Sequence, residues 1–269
     1  MLEIRKTTMF DSRQVLTYRP SAHLRRLQAQ LDGFIAYVDA NLASASGEVR
    51  ASAAARFRTL CEEIRASEVS PGVLGLFPDA DVLQRVRLDY VCGLLGLQDE
   101  DPEKETPATR LAAARAKLLP AYHQTLALAE AIGRNEAIPH VKAFIDDWMN
   151  RNTKANESLE DPGLFWDAIG RGWDDTEIVA ARLGRGKIVM RTNRCLWADV
   201  LRPLGNAELA YAGACYGDYR QIGSLNSNFV FTRTMTLVQG DPYCDACVHD
   251  RRFVDSIEHP ARELYDSLV

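Results

Sequence analysis

Apolar residues recur at steps of three and four along the first 150 or so positions, the spacing of helices with one buried stripe. In "HLRRLQAQLDGFIAYVDANL" the stripe is Leu24, Leu27, Leu31, Phe34, Ile35, Val38 and Leu42. Ser21, next to Pro20, is the expected cap of that helix. Glu48 to Ser67 repeats the pattern through Val49, Phe57, Leu60 and Ile64. "SPGVLGLFPDAD" interrupts it with two prolines and two glycines, and Asp79 or Asp81 then opens a helix carrying Val82, Val86, Val91 and Leu94. After the acidic connector "QDEDPEKETP", Thr106 and Pro107 predict another helix start, with Leu111, Leu118 and Leu119 following. Pro120 is expected to kink or divide that helix, and "AIPHVKAFIDDWMNRN" predicts a last one beginning near Pro139.

The texture changes after "ESLEDPG". "TEIVAARLG" and "GKIVMRTNRC" read as two strands, and the intervening "LGRGK" is a hairpin signal because glycine accepts positive φ. "LWADVLRPLG" and "NAELAYAGACYGDY" read as helices. "NFVFTRTMTLVQG" alternates like a half-buried strand, and "CVHDRRFV" is its expected partner. The predicted fold class is α+β: a helical region over 1–160, then a domain over 161–269 with an antiparallel sheet and flanking helices.

Composition narrows the function classes. The 269 residues are 46% hydrophobic and 26% charged, with a net charge of −5, ordinary for a globular chain. There is no basic stripe to bind nucleic acid; Arg25 and Arg26 read as the wet side of a helix. No run approaches the ~18 apolar residues of a membrane span, and "MLEIRKTTMF" lacks the features of a signal peptide. The expectation is a cytoplasmic protein with a small-molecule partner and no nucleic-acid or membrane partner, and a homo-oligomer stays open. Six cysteines in that compartment are thiols, not three disulfides. Cys61 and Cys92 lie in apolar helical patterns and read as core.

The other four cysteines fall in the last third. Cys195 ends a predicted strand, and Cys215 and Asp218, three apart, share a helix face. Arg233, Thr234 and Thr236 lie in "TRTMTLVQGD", and Cys244, Asp245, Cys247 and His249 in "CDACVHD". Cys195, Cys215, Cys244 and Cys247 would be the ligands of a structural zinc, although only one pair has knuckle spacing. A redox pair normally opens a helix after a strand, whereas Cys244 and Cys247 lie between predicted strands. A nucleophilic thiol needs a base or cation nearby, for which Arg233 and His249 are candidates. Asp218 is the candidate base for a water, Arg233 the candidate fork for a substrate carboxylate, and Thr236 and His249 further substrate contacts. Each has an ordinary structural alternative: a turn aspartate, a cross-strand ion pair, an exposed strand histidine. Trp166, Trp173, Trp197, Tyr211, Tyr216 and Tyr219 are pocket-wall or core aromatics.

The segments "NRCLWADVLRPLGNAELAYAGACYGDY" and "FTRTMTLVQGDPYCDACVHDRR" together resemble the L-2-amino-thiazoline-4-carboxylic acid hydrolase family. The resemblance is carried by a cysteine-bearing strand end, a Cys-x-x-Asp pair, an "R-x-x-T-L-x-x-G" stretch and a Gly-Asp-x-x-Cys-Asp ending. It implies a hydrolase that opens a small carboxylate-bearing heterocycle at a cyclic carbon–nitrogen centre; apart from the zinc alternative, no cofactor is expected. Cys215, Asp218, Arg233 and Cys244 fall on the family motif, and Cys195 is a structural member. Ala246 and Cys247 depart from the aromatic and basic residues common there. A more distant similarity, to vinyl-reductase-type ligand-binding domains, implies instead a non-catalytic binding or sensor domain.

Overall fold

The computed structural model describes residues 3–6, 10–97, 101–159 and 175–268. Trp166, Trp173 and the expected boundary at 160/161 lie outside the described residues. The chain divides into two compact units, one of residues 11–144 and one of residues 1–10 with 145–269.

The unit of 11–144 is built from α1 (Pro20–Asn41), α2 (Ala43–Ile64), the short α3 (Pro71–Gly75), α4 (Val82–Leu95) and α5 (Arg110–Ile132). The predicted stripe of α1 is buried from Leu24 to Val38, and its Leu24, Leu27 and Leu31 pack in one core with Leu88, Val91, Cys92 and Leu95 of α4. Asp81 caps α4 reciprocally with Gln84, as the sequence suggests. Arg19, not Ser21, stands at the cap of α1; Pro20 already occupies the first turn, and the Ser21 hydroxyl donates to Glu103 at 2.9 Å. Thr106 and Pro107 do not start a helix. They belong to β3 (Thr106–Thr109), which pairs antiparallel with β2 (Val15–Tyr18). The helix start moves to Arg110, where Thr109 accepts from the Ala112 amide at 3.1 Å. Pro120 sits inside a continuous α5, flanked by buried Leu118, Leu119 and Tyr122, so tertiary packing outweighs the one lost backbone bond. α6 (Arg134–Asn152) begins before Pro139, directly after Gly133.

The other unit holds a five-stranded antiparallel sheet in the order β1–β4–β5–β7–β6. Its strands are β1 (Glu3–Lys6), β4 (Thr176–Arg182), β5 (Lys187–Cys195), β6 (Phe229–Arg233) and β7 (Cys244–Asp250). The expected β4–β5 hairpin forms, and both Gly184 and Gly186 take positive φ in its turn. The amino-terminal segment joins this sheet as an edge strand, a long-range pairing that no local pattern announces. β6 and β7 pair as expected, but the alternating stretch is strand only to Arg233; Thr236 then caps a 3₁₀ turn, Leu237–Gln239. After β5 come α7 (Leu196–Leu201), a 3₁₀ turn at Arg202–Leu204, α8 (Ala207–Ala210), a π-helical turn at Tyr211–Cys215 and α9 (Gly217–Leu225). The period-two alternation of the strands gives the sheet two buried faces. Ile188, Met190, Phe231, Ala246 and Val248 pack with Ile222 of α9. Val179, Val189 and Cys247 pack with Tyr265 of the carboxy-terminal helix α10 (Arg262–Asp266) and with Leu268. The architecture is therefore α+β, with a helical amino-terminal half and an antiparallel sheet flanked by helices. No described helix is long and apolar enough to cross a membrane.

Candidate active site

The α9 face of the sheet gathers most of the residues singled out above. Arg233 ends β6 with its side chain only 6% exposed, and its two terminal nitrogens are both engaged. Nη1 donates to Asp218 Oδ2 at 2.7 Å and Nη2 to the Cys215 carbonyl at 2.6 Å. The π-helical turn that ends at Cys215 puts the Cys215 carbonyl within reach of this guanidinium. Rings of Tyr211, Tyr219 and Phe231 surround the guanidinium, with centroids 5.7, 5.6 and 5.2 Å from its carbon. The Tyr219 hydroxyl donates to the Arg233 carbonyl at 2.9 Å. Burial disfavours the charge on Arg233, but Asp218 and Cys215 outweigh it and hold its pKa above the ordinary value. Asp218 is the open member of the pair, 42% exposed.

Three thiols share this neighbourhood. Burial pushes Cys215 well above the usual thiol range; the Asp218 carboxylate adds to that, and Arg233 opposes it. Cys195 is pushed up to about 12 by burial, against amide hydrogen bonds from Ala198 and Trp197. Cys244 is raised by burial too, although the Leu237 amide donates to its sulfur at 3.2 Å. Cys195 and Cys244 each act electrostatically on Cys215. All three therefore stay protonated at neutral pH.

The zinc alternative fails on this geometry. Cys247 alternates to the other face of β7, packed against Tyr265 and Leu268, so the four cysteines do not converge. Among the described residues no group of three or more histidines, cysteines or carboxylates is arranged to hold a metal. His249 is also on that far face, fully buried, and is not brought to Arg233. Thr236 is buried and spent locally. Its hydroxyl donates to Gln239 Oε1 at 2.9 Å and accepts from the Gln239 amide at 3.2 Å. Of the described aromatics, Tyr211 and Tyr219 wall Arg233. The Tyr216 hydroxyl donates to Asp146 at 3.2 Å and Trp197 Nε1 to Asp175 at 3.3 Å.

The far face holds a chain of polar groups that sequence reasoning did not find. His259 Nε2 lies 3.0 Å from Asp245 Oδ2, and its Nδ1 lies 2.9 Å from the Thr232 hydroxyl. That hydroxyl is also 3.0 Å from His249 Nε2. The His259 ring stacks on Tyr265 with centroids 5.3 Å apart. Its only signal in the sequence is a lone histidine before a proline, in a segment with no periodicity.

A cleft of about 590 Å³ opens at the end of β5, lined by Asn193, Arg194, Cys195, Ala198, Asp199, Arg202, Pro203 and Leu237. A register irregularity at Glu177 and Ile178 leaves Asn193 without a cross-strand partner there. The cleft reaches Cys195 directly and Cys244 through Leu237.

The family model described as L-2-amino-thiazoline-4-carboxylic acid hydrolase matches residues 114–248. This is half of the chain, and the chain belongs to that family. The match begins inside α5, well before the segments that carry the sequence resemblance, and ends before His259. No curated protein and no solved structure matches the chain.

Proposed function

We propose that this protein is a hydrolase that opens a small carboxylate-bearing heterocycle at a cyclic carbon–nitrogen centre, with Asp218 as base, Cys215 and Cys244 as proton carriers and Arg233 as the cation of the site. The observation that carries the reading is the Arg233–Asp218 pair at 2.7 Å beside the buried Cys215 thiol, within the span that the family model matches. A cyclic amidine is electrophilic at the carbon between its heteroatoms. Water adds there, giving up a proton to Asp218. The tetrahedral intermediate then collapses by breaking one ring bond, and the departing heteroatom takes up a proton, so that one water is added overall. The raised thiols favour proton carriage over attack as thiolates. Arg233 has both terminal nitrogens occupied. Its part in the reading is to hold the Asp218 carboxylate in place, not to grip a substrate by itself. Thr236 and His249 have no part in it.

The test is turnover of L-2-amino-thiazoline-4-carboxylic acid by the wild type, Asp218→Asn and Cys215→Ala. A fall of about a hundredfold or more in kcat for Asp218→Asn, within the ordinary range for a general base, is expected with the thermal midpoint kept within a few degrees. Full turnover in both variants overturns the assignment. The raised thiols, poor nucleophiles near neutral pH, also suit a second reading, a binding module with the same pocket. Tight binding of the same compound with no turnover by wild type is its signature.

A further inference from the structure

Arg233 stands between two residues that are tied down on the opposite face of the sheet. It lies across from Ala246, on the α9 face, whereas Thr232 lies across from Cys247, on the far face. The Thr232 hydroxyl is 2.9 Å from His259 Nδ1, and His259 Nε2 is 3.0 Å from Asp245 Oδ2. The same Asp245 carboxylate receives the Thr234 amide at 2.8 Å and the Thr234 hydroxyl at 2.5 Å. One His259–Asp245 pair thus holds both the residue before Arg233 and the residue after it. The strand has few other supports at this point. β6 is an edge strand bonded to β7 alone, and its ladder ends at Arg233 and Ala246. The end of an edge strand is the part of a sheet that opens at the lowest cost. Any displacement of Arg233 there passes to the Asp218 carboxylate and the Cys215 carbonyl, which its terminal nitrogens hold at 2.7 and 2.6 Å.

His259 is itself held from outside the sheet. It lies in residues 251–261, which contain no helix or strand, and beyond residue 248, where the family match ends. Its ring stacks on the fully buried Tyr265, with centroids 5.3 Å apart and planes 10° from parallel. Arg191 of β5 donates to the Tyr265 carbonyl at 3.0 Å, and the Tyr243 hydroxyl donates to Asp266 at 2.6 Å, so α10 is pinned to the same face. An imidazole suits the place because its two nitrogens can serve two partners at once. In the neutral ring Nε2 carries the proton that Asp245 accepts, and Nδ1 accepts from the Thr232 hydroxyl. His249 Nε2, 3.0 Å from that hydroxyl, then donates to its oxygen.

We infer that His259 is a positioning residue for the Arg233–Asp218 pair, acting through Thr232 and Asp245 to fix the end of β6. Its part in turnover rests on the hydrolase reading; its hold on Arg233 does not. The effect crosses the sheet because side chains alternate along a strand. Fixing Thr232 and Thr234 on one face fixes the direction in which Arg233 leaves the other. A segment outside the matched span therefore sets the geometry of residues inside it.

The experiment is nuclear magnetic resonance of the full chain labelled with nitrogen-15 arginine, alongside turnover of L-2-amino-thiazoline-4-carboxylic acid. The two terminal nitrogens of Arg233 have different partners, so a closed fork gives them separate signals, assigned by their loss in Arg233→Lys. A loosened fork rotates and merges them. Wild type is expected to show separate signals and His259→Ala merged ones. His259→Gln, whose amide offers a donor and an acceptor, is expected to separate them again. Thr232→Val, which exchanges the hydroxyl for a methyl group, is expected to behave as His259→Ala does, and decides the matter if His259→Ala does not fold. Gly184→Ala, in the β4–β5 turn, controls for lost stability and is expected to keep separate signals. In turnover, His259→Ala is expected to lose about tenfold or more in kcat with KM nearly unchanged, the mark of a misplaced catalytic group, and His259→Gln to recover most of it. Separate signals in His259→Ala or in Thr232→Val would overturn the inference. So would merged signals in wild type or Gly184→Ala, or full turnover by His259→Ala. The expected signals in a wild type that does not hydrolyse the compound leave the hold on Arg233 standing and remove only the hydrolase reading.

Discussion

Asp245 accepts four hydrogen bonds through a side chain that is only 2% exposed. Its Oδ1 receives the Thr234 amide at 2.8 Å and the Met235 amide at 2.6 Å. Its Oδ2 receives the Thr234 hydroxyl at 2.5 Å and lies 3.0 Å from His259 Nε2. Burial alone would raise the pKa of this carboxyl, but the bonds from His259, Thr234 and Met235 outweigh it and hold the group below its usual value. The residue thus clamps the turn between Arg233, which holds Asp218, and Leu237, which touches Cys244. An Asn at this position presents an amide nitrogen where a donor already points. Asp245→Asn is expected to cost about 1–3 kcal/mol at pH 7, the range for unpairing a buried polar group. The folded carboxyl takes its proton only below the usual value. Its contribution is therefore complete above the unfolded carboxyl pKa of about 3.9 and disappears as pH falls through the lower folded value. Urea unfolding followed by tryptophan fluorescence should show a gap between wild type and variant at pH 7 that closes toward pH 3. A gap of the same size at both pH values would show that the ionised carboxylate is not what matters.

At the level of elements, the sequence discloses what short-range periodicity encodes. The stripe of α1, the Asp81 cap of α4, the β4–β5 hairpin and the pairing of β6 with β7 are all readable from residues close together in the chain. The misreadings have a common cause. β1 and β3 are four-residue strands whose partners lie far along the chain, and propensity cannot announce a distant partner. Thr106 and Pro107 satisfy a helix-start pattern, yet the strand they form is fixed by β2. For the site, Cys215, Asp218 and Arg233 were legible as a set. The closure of the Arg233 fork was not, because it depends on the π-helical turn, and nothing in "AYAGAC" distinguishes five residues of π helix from α helix. The hairpin turn yields a sharp prediction because its two glycines differ. Both have positive φ, 71° at Gly184 and 88° at Gly186. A Cβ at Gly184 meets nothing within 4 Å, whereas one at Gly186 would lie 2.7 Å from the Phe253 Cβ. Gly184→Ala should cost about 1–2 kcal/mol for the left-handed backbone alone. Gly186→Ala should cost more, because the segment after β7 must also shift. Equal midpoints for the two variants in chemical unfolding would contradict the contact with Phe253.

For the whole molecule, the two compact units can be followed separately by pH. All four tryptophans of the sequence fall within 145–269, in the unit that carries the sheet, while α1, α2, α4 and most of the helical signal belong to 11–144. Each unit buries a histidine in its neutral form. His123, ringed by Phe57, Tyr90 and Tyr122, is pushed down to about 4 by burial and then by Arg56. His249 is pushed down to about 4 by burial, then by Lys187 and His259, with the Ser256 carbonyl opposing. His23, in the helical unit, is lowered as well, by burial, Arg26 and Lys117. In an unfolded chain each of these imidazoles takes a proton near pH 6.5, whereas His123 and His249 in the folded chain wait until about pH 4. Between those values the unfolded state binds more protons than the folded one, so stability falls as pH falls from about 6.5 to about 4. The partners of the two imidazoles sit in different units, which separates their effects. His123→Gln should flatten the pH dependence of the transition seen by far-ultraviolet circular dichroism and leave that seen by tryptophan fluorescence almost unchanged. His249→Gln should do the reverse, because Lys187, Thr232 and His259 all belong to the sheet unit. If either substitution flattened both transitions alike, the units would unfold as one cooperative body, and the separation read from their internal packing would not hold in solution.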